Sequence, residues 1–146
     1  SRAKNCTGLD RSPEMLRLAR AKLQHLSGNH VDLVLADFYA LPSFDGRFDT
    51  IMLHQVLHYA QNPQTVIDEA ARVANAGAQI VIVDFAAHSL EELRERHAHT
   101  RLGFSDEQML TMLTKAGFSH SETLSLSGGT LTVKIWRGVR QDRSEK

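Results

Sequence analysis

The sequence predicts an α/β fold: a mostly parallel sheet with crossover helices that ends in an antiparallel hairpin. Three observations lead to this prediction. Short β-prone runs alternate with amphipathic helical segments, which is typical of parallel strands joined by helices. The strongest β-prone run, residues 79–85, is almost continuously apolar up to Asp84, as expected for a central strand. Gly128-Gly129 then joins two further β-prone runs, and a two-glycine turn favours a hairpin.

The first strand and helix are defined by a helix cap. Residues 5–10 form a β-prone run that closes on Asp10. Ser12 follows as a helix N-cap and Pro13 as the first helical residue, two positions that these residue types favour. Apolar residues then recur at helical spacing until Gly28, so we expect the helix to end there.

Three further elements precede the central strand. Residues 31–36 predict a buried strand, and residues 48–53 predict another after a loop. Asn62 and Pro63 have the residue types of a helix start. Apolar residues follow at helical spacing, and we expect Gly77 to lie just beyond the end of this helix.

The last third of the chain predicts two helices and the hairpin. Ser89 with Glu92, and Ser105 with Gln108, form two capping-box patterns, each of which opens a helix. The hairpin strands are predicted at about 121–127 and 130–137. We expect a folded domain over residues 1–137, followed by a polar C-terminal tail at 138–146.

Composition argues against several classes of partner. Seventeen Lys and Arg residues balance seventeen Asp and Glu residues, which gives no electrostatic reason to expect direct nucleic-acid or membrane binding. The single cysteine, Cys6, rules out an internal disulfide framework and is typical of a reducing cytoplasm. No apolar run approaches the ~20 residues of a membrane span, and no signal peptide is recognised. We therefore expect a cytoplasmic domain.

Two aspartates at strand ends are the main candidate site residues. Asp10 closes the first strand and Asp37 follows the second. Carboxylates at the carboxyl edge of a parallel sheet are placed to bind the hydroxyls or the amino group of a nucleoside. The alternatives are a helix-entry residue at Asp10 and a loop-capping residue at Asp37, and both alternatives stay open.

Four segments together carry a family resemblance. They are GLDRSPEML at 8–16, ADFYALP at 36–42, FDTIMLHQVLHY at 48–59 and VANAG at 73–77. In order and spacing they resemble the class I S-adenosylmethionine-dependent methyltransferases. The resemblance covers about residues 5–85 and implies a Rossmann-like sheet, S-adenosylmethionine as cofactor, and methyl transfer to a small-molecule acceptor.

The resemblance also implies how the adenosine part of the cofactor is bound. Asp10 would accept hydrogen bonds from the two ribose hydroxyls, with Arg11 and Met15 flanking the adenine ring. Asp37 would accept from the adenine amino group, while the amide of Phe38 donates to a ring nitrogen. For Met15, ordinary core packing is an equal alternative. The implied cofactor-binding set is Asp10, Arg11, Met15, Ala36, Asp37, Phe38 and His54.

The methyl acceptor would lie beyond the strand at 48–53. The resemblance places His54 near the methionine part of the cofactor, and His58 or Tyr59 near the acceptor. A histidine side chain has a pKa near 6.5, so His58 is the candidate catalytic base for an oxygen or nitrogen nucleophile. The alternative for His58 is a polar residue that faces water at a helix start.

One part of the family pattern is missing. No Gly-x-Gly turn precedes the strand at 5–10, although in the family such a turn follows the central first strand. Its loss would leave buried backbone groups unpaired at about 1–3 kcal/mol each, against a net stability of about 5–15 kcal/mol. We expect a fragment without this strand. Three remedies stay open: the natural protein supplies the strand, a homodimer closes the gap, or the sheet rearranges.

A narrower resemblance suggests a second class of function. LRERHAHTRLGFS at 93–105 resembles the methyltransferase half of proteins fused to an ArsR-type winged-helix repressor. The alternative function is therefore a non-catalytic sensor of S-adenosylmethionine or S-adenosylhomocysteine, coupled to a fused regulator. His97 and His99 point about 200° apart on a regular helix, so we expect no metal site there.

Overall fold

The computed structural model describes residues 6–10, 13–23, 31–35, 37–41, 48–86, 103–127 and 132–141. They belong to two compact units, Ser1–Pro42 and Ser43–Lys146, each with its own sheet. The helix expected from Ser89, the Gly128-Gly129 turn and the end of the predicted tail lie outside the described residues.

The first unit contains a parallel pair of strands. Its elements are β1 (Cys6–Asp10), α1 (Pro13–Leu23) and β2 (Val31–Leu35). β1 pairs with β2 in parallel, and Asp10 lies opposite Leu35. α1 begins at Pro13, as predicted, and buries Leu16. Both strands and the helix start are confirmed, whereas the predicted helix end at Gly28 lies outside the described residues.

The second unit contains a four-stranded sheet in the order β3-β4-β6-β5. Its strands are β3 (Phe48–His54), β4 (Ala74–Phe85), β5 (Phe118–Ser127) and β6 (Thr132–Arg140). β3 is parallel to β4, while β6 is antiparallel to both β4 and β5. The central position of β4 and the antiparallel C-terminal pair are therefore confirmed. β6 lies beside β4, so β4 has a parallel neighbour on one side only.

Two capped helices, α2 (Pro63–Arg72) and α3 (Asp106–Ala116), contact each other in this unit. Asn62 caps α2, since its Oδ1 accepts from the amide of Thr65 at 3.4 Å. The predicted capping box of α3 is confirmed: Ser105 Oγ accepts from the amide of Gln108 at 3.1 Å, and Gln108 Oε1 accepts from the amide of Ser105 at 2.9 Å. Among the described residues, no helix is long and apolar enough to cross a membrane.

The core of the second unit consists of apolar side chains from its helices and its central strands. Members exposed by 2% or less include Val66, Ile67, Ile80, Ile82, Met109, Leu113 and Trp136. The indole Nε1 of Trp136 donates to Asp106 Oδ1 at 3.0 Å, so its polar atom is satisfied. This core fixes β4 and therefore the residues at its carboxyl end.

Two predicted boundaries are wrong, and in both cases strand pairing is the reason. Gly77 does not follow a helix end but lies within β4, with φ at 81°, because α2 ends at Arg72 and Ala74 already pairs with Phe48. The predicted tail begins too early, because residues 138–140 belong to β6.

Arg140 explains why the chain stays ordered beyond the predicted tail boundary. Its Nε donates to the carbonyl oxygen of Ala71 at 3.2 Å, and its Nη1 donates to that of Gly117 at 3.3 Å. Ala71 lies in the last turn of α2 and Gly117 directly follows α3, and both carbonyls also accept from a backbone amide, that of Val73 and that of Gln141. A charged residue that the sequence assigned to a solvated tail therefore joins β6 to two helices.

β1 and β3 each pair with one strand among the described residues, β1 with β2 and β3 with β4. On β3, Met52 is 61% exposed although the strand is rich in apolar residues. β3 is thus an edge strand of the described four-stranded sheet, with a large apolar side chain exposed on it.

Candidate functional site

The chain leaves β3 through a left-handed residue and a short 3₁₀ turn. Gln55 has φ at 54°, and its amide donates to the carbonyl oxygen of Val83 in β4 at 2.7 Å. A 3₁₀ turn follows at Leu57–Tyr59, closed by a bond from the amide of Ala60 to the carbonyl oxygen of Leu57 at 3.0 Å. This path turns the backbone at the carboxyl end of the parallel β3–β4 pair and places His58 beside the end of β4.

His58 and Asp84 form a buried pair at this position. His58 Nδ1 lies 2.7 Å from Asp84 Oδ1, and the two side chains are 2% and 0% exposed. The backbone amide of His58 also donates to Asp84 Oδ2 at 3.3 Å. The expectation that His58 faces water at a helix start, weighed as the alternative in the sequence, does not describe this buried side chain.

Asp84 serves as an acceptor through both of its oxygens. Besides its contacts with His58, its Oδ1 accepts from the amide of Phe85 at 2.9 Å. An ionised carboxylate is acceptor-only, and a buried one needs such donors. This donor set therefore favours the ionised form of Asp84, with the imidazole Nδ1 as a donor.

Aromatic rings surround the imidazole of His58. The ring centroid of Tyr59 lies 4.2 Å away and that of Phe85 lies 5.1 Å away, both in tilted arrangements. Tyr59 is 44% exposed, whereas His58 is almost fully buried. The site thus extends from an ionisable pair inside the unit to an aromatic ring at its surface.

In the first unit, the structure describes Asp37 and its neighbours in a tight loop. Asp37 Oδ1 accepts from the amide of Tyr39 at 2.9 Å, and the carbonyl oxygen of Asp37 accepts from the amide of Ala40 at 3.0 Å. The loop-capping role that the sequence left open is therefore present. The side chain of Asp37 is exposed, and the ring of Phe38 contacts that of Tyr39 edge to face at 4.9 Å.

The other predicted site residues differ in how far the structure describes them. Met15 lies on α1 and is 53% exposed, so core packing does not account for its side chain. His54 ends β3, opposite Val83, with an exposed side chain. Asp10 ends β1, but its side chain lies outside the described part of the structure, as do Arg11, Ala36, His97 and His99.

No group of three or more His, Cys, Asp or Glu side chains among the described residues could hold a metal ion.

Asp84 is the site residue that sequence reasoning missed. It is an aspartate near the carboxyl end of an apolar β-prone run, which is the same signal that identified Asp10 and Asp37. At Asp84 this pattern by itself predicts a strand and does not predict a functional role. Its partner, His58, is 26 residues away in sequence, so the pairing itself was not predictable from a local pattern.

Comparison of the sequence with known proteins indicates a methyltransferase family. The sequence pattern of a family described as "methyltransferase domain" matches residues 1–82. The chain is 35% identical over 92 residues to norajmaline N-methyltransferase of Rauvolfia serpentina, covering 62% of this chain and 31% of that protein. It is 26% identical over 149 residues to demethylmenaquinone methyltransferase of Listeria monocytogenes, covering 84% of this chain and 63% of that protein. The chain thus spans less than two thirds of either relative.

A solved structure of similar fold is magnesium protoporphyrin IX methyltransferase from Synechocystis with bound S-adenosylhomocysteine. It superimposes with a TM-score of 0.74 at 21% identity, covering 94% of this chain and 64% of that one. At this identity the likeness establishes the fold. It places the described strands and helices within a Rossmann-like α/β architecture.

Proposed function

The chain belongs to the methyltransferase domain family, and from that premise we propose that it takes part in S-adenosylmethionine-dependent methyl transfer to a small-molecule acceptor. The observation that carries the proposal is the family match over residues 1–82, since these residues contain both strand-ending aspartates and His58. Two relatives support the acceptor class, because their names specify norajmaline and demethylmenaquinone.

The described residues of the first unit fit the adenosine part of the cofactor. β1 and β2 are parallel, so their carboxyl ends lie at one edge, where such sheets bind nucleotides. Asp37 is exposed at this edge, so its carboxylate is accessible to the adenine amino group. Met15 presents an exposed, polarisable side chain suited to an adenine face.

In the proposed complex each residue has one binding task. Asp10 accepts from the ribose hydroxyls, Asp37 accepts from the adenine amino group, and the amide of Phe38 donates to a ring nitrogen. Arg11 and Met15 flank the ring. The remaining members of the binding set are Ala36, beside the adenine, and His54, near the methionine part. When bound, S-adenosylmethionine supplies an activated methyl group on a sulfonium.

His58 is the proposed proton acceptor for an acceptor molecule that must lose a proton. Its imidazole lies at the carboxyl end of β3, the edge at which parallel sheets present catalytic groups. Its 2% exposure keeps the ring away from bulk water. Positioning supplies most of the rate enhancement in a direct displacement, and a base adds to it only when a proton must leave.

Calorimetry with S-adenosylmethionine and S-adenosylhomocysteine tests the proposed function. We expect binding by this chain, or by a longer natural protein that contains it, and loss of binding in Asp10→Ala. Asp68→Ala is a matched control, because Asp68 is an exposed aspartate on α2 that bonds to the side chain of Gln64. An unchanged affinity in Asp10→Ala would remove the ribose assignment, and failure of both protein forms to bind either ligand would refute the function.

A second candidate is a sensor without catalysis. The resemblance of residues 93–105 to regulator fusions favours it, because such a domain would report cofactor binding to a fused winged helix. Tight binding without turnover across many acceptors would support the sensor, and turnover of any acceptor would support the enzyme.

Light scattering of the same samples tests the proposed homodimer, since a monomer that binds cofactor would need no second copy.

A further inference from the structure

The pair formed by His58 and Asp84 joins two elements at the carboxyl edge of the second sheet. His58 lies in the 3₁₀ turn after β3, and Asp84 is the second-last residue of β4. The backbone of Asp84 is held on its far side as well, because it pairs with Lys134 of β6. A carboxylate on a central strand is thus a rigid reference point for the orientation of an imidazole on a turn.

The donors around Asp84 determine which nitrogen of His58 carries a proton. The amides of His58 and Phe85 donate to Oδ2 and Oδ1, and these bonds require acceptor oxygens whatever the imidazole does. An ionised Asp84 has no hydrogen to offer, so the 2.7 Å contact with Nδ1 is a hydrogen bond only if Nδ1 is the donor. In the neutral imidazole the proton is then on Nδ1 and the lone pair on Nε2.

We propose that Asp84 is a positioning residue that holds the proton of His58 on Nδ1 and thereby makes Nε2 the proton acceptor in methyl transfer. The inference rests on the proposed function and adds to it a residue outside the 1–82 match. Asp84 touches neither cofactor nor acceptor in this scheme. It acts through the orientation and tautomer of His58.

The step balances without a further reactant. A bond forms between the acceptor's oxygen or nitrogen and the methyl carbon, while the bond from that carbon to the sulfonium sulfur breaks and its electron pair stays on sulfur. Nε2 of His58 takes the acceptor's proton. The resulting imidazolium keeps its Nδ1–H bond to Asp84, and the two opposite charges lie within a water-excluded region where their attraction is stronger than in water.

Substitution of Asp84 by leucine separates positioning from simple packing. Leucine has nearly the same shape but offers no acceptor to Nδ1. The proton is then no longer held on Nδ1, and we expect the fraction of His58 with the proton on Nε2 to rise, which weakens the proposed base. A pair that only ties the turn to the strand would change stability without requiring this change of tautomer.

The test is long-range ¹H–¹⁵N correlation NMR of the full chain labelled with ¹⁵N-histidine at a pH where the imidazole is neutral. His58→Gln identifies the signals of His58 among the eight histidines. We expect a pyrrole-like Nδ1 and a pyridine-like Nε2 in the wild type, and a shift of both signals toward the reverse pattern in Asp84→Leu. The matched control is Asp106→Leu, since Asp106 bonds to Lys134 and Trp136 and not to His58.

A wild-type spectrum with the proton on Nε2 overturns the proposal, and this result does not depend on whether any variant folds. An unchanged tautomer in a folded Asp84→Leu also overturns it and leaves a purely structural pair. Calorimetry with S-adenosylhomocysteine separates the two hypotheses. If the ligand binds and the tautomer is wrong, only the role of Asp84 fails. If the tautomer is as expected but neither this chain nor a longer protein that contains it binds S-adenosylhomocysteine, Asp84 still orients His58. Its role in methyl transfer is then refuted together with the proposed function.

Discussion

Replacing Asp84 by alanine is expected to destabilise the second unit more than replacing His58 by phenylalanine. The alanine variant leaves three donors without their acceptor: the imidazole, the amide of His58 and the amide of Phe85. Each buried donor that is left unsatisfied costs about 1–3 kcal/mol, so we expect the three together to cost about 4 kcal/mol. The phenylalanine variant keeps an apolar ring in place and leaves Asp84 with two amide donors, so we expect a smaller loss of about 1–3 kcal/mol.

Urea unfolding followed by tryptophan fluorescence measures how much stability the second unit loses in each variant. Trp136 is the only tryptophan of the chain and is fully buried in the second unit. With a slope of about 2 kcal/mol per molar urea, the two variants would lower the unfolding midpoint by roughly 2 M and roughly 1 M. Asp68→Ala should change the free energy of unfolding by less than about 0.5 kcal/mol, as expected for an exposed site.

A larger loss of stability in His58→Phe than in Asp84→Ala would contradict this expectation. If His58→Phe were as costly as Asp84→Ala, the two amide bonds would contribute nothing to holding the carboxylate. If neither variant lowered the midpoint, the pair would be accessible to water in solution. Either result would also weaken the argument that the amides keep Asp84 in its acceptor form.

Two further outcomes are expected from other positions. Gln55→Gly should raise the free energy of unfolding by about 0.5–1 kcal/mol in the same urea assay, because glycine adopts positive φ without steric cost. A smaller increase or a decrease would show that the left-handed backbone at Gln55 is not strained. The hydrogen bond from Lys134, followed by that from Trp136, lowers the pKa of Asp106 from its ordinary value of 3.8. Its contribution to stability is therefore fully present above that value and is lost as the pH falls through the lowered pKa. Urea unfolding at several pH values should accordingly show a smaller acid-induced loss in Asp106→Asn than in the wild type.

Local signals predicted the elements whose ends depend on neighbouring residues in sequence. The capping box at Ser105 and Gln108 is one case, since its two hydrogen bonds involve residues three apart. The start of α2 after Asn62 is another. Signals that depend on pairing failed: β4 begins at Ala74 because Phe48 pairs with it, and no residue near Gly77 carries that information.

At the candidate site too, local patterns predicted some residues, whereas contacts between distant segments were not predictable. Asp37 was predicted from its place after an apolar strand, and the structure finds it exposed in a tight loop. His58 was predicted from a family resemblance, but its burial was not, because burial depends on what packs around the 3₁₀ turn. Arg140 shows the same limit, since a charged residue near the end of the chain contacts carbonyls of two distant helices.

Alternation, capping and short motifs are properties of adjacent residues, so the α/β class, the strand-ending aspartates and the resemblance to methyltransferases follow from local sequence. The position of β6 between β4 and β5 and the contact of Asp84 with His58 appear only in the folded structure. Both depend on contacts between segments far apart in the chain. Such contacts form when a shared core excludes water, and the local sequence does not encode which distant partner that core brings together.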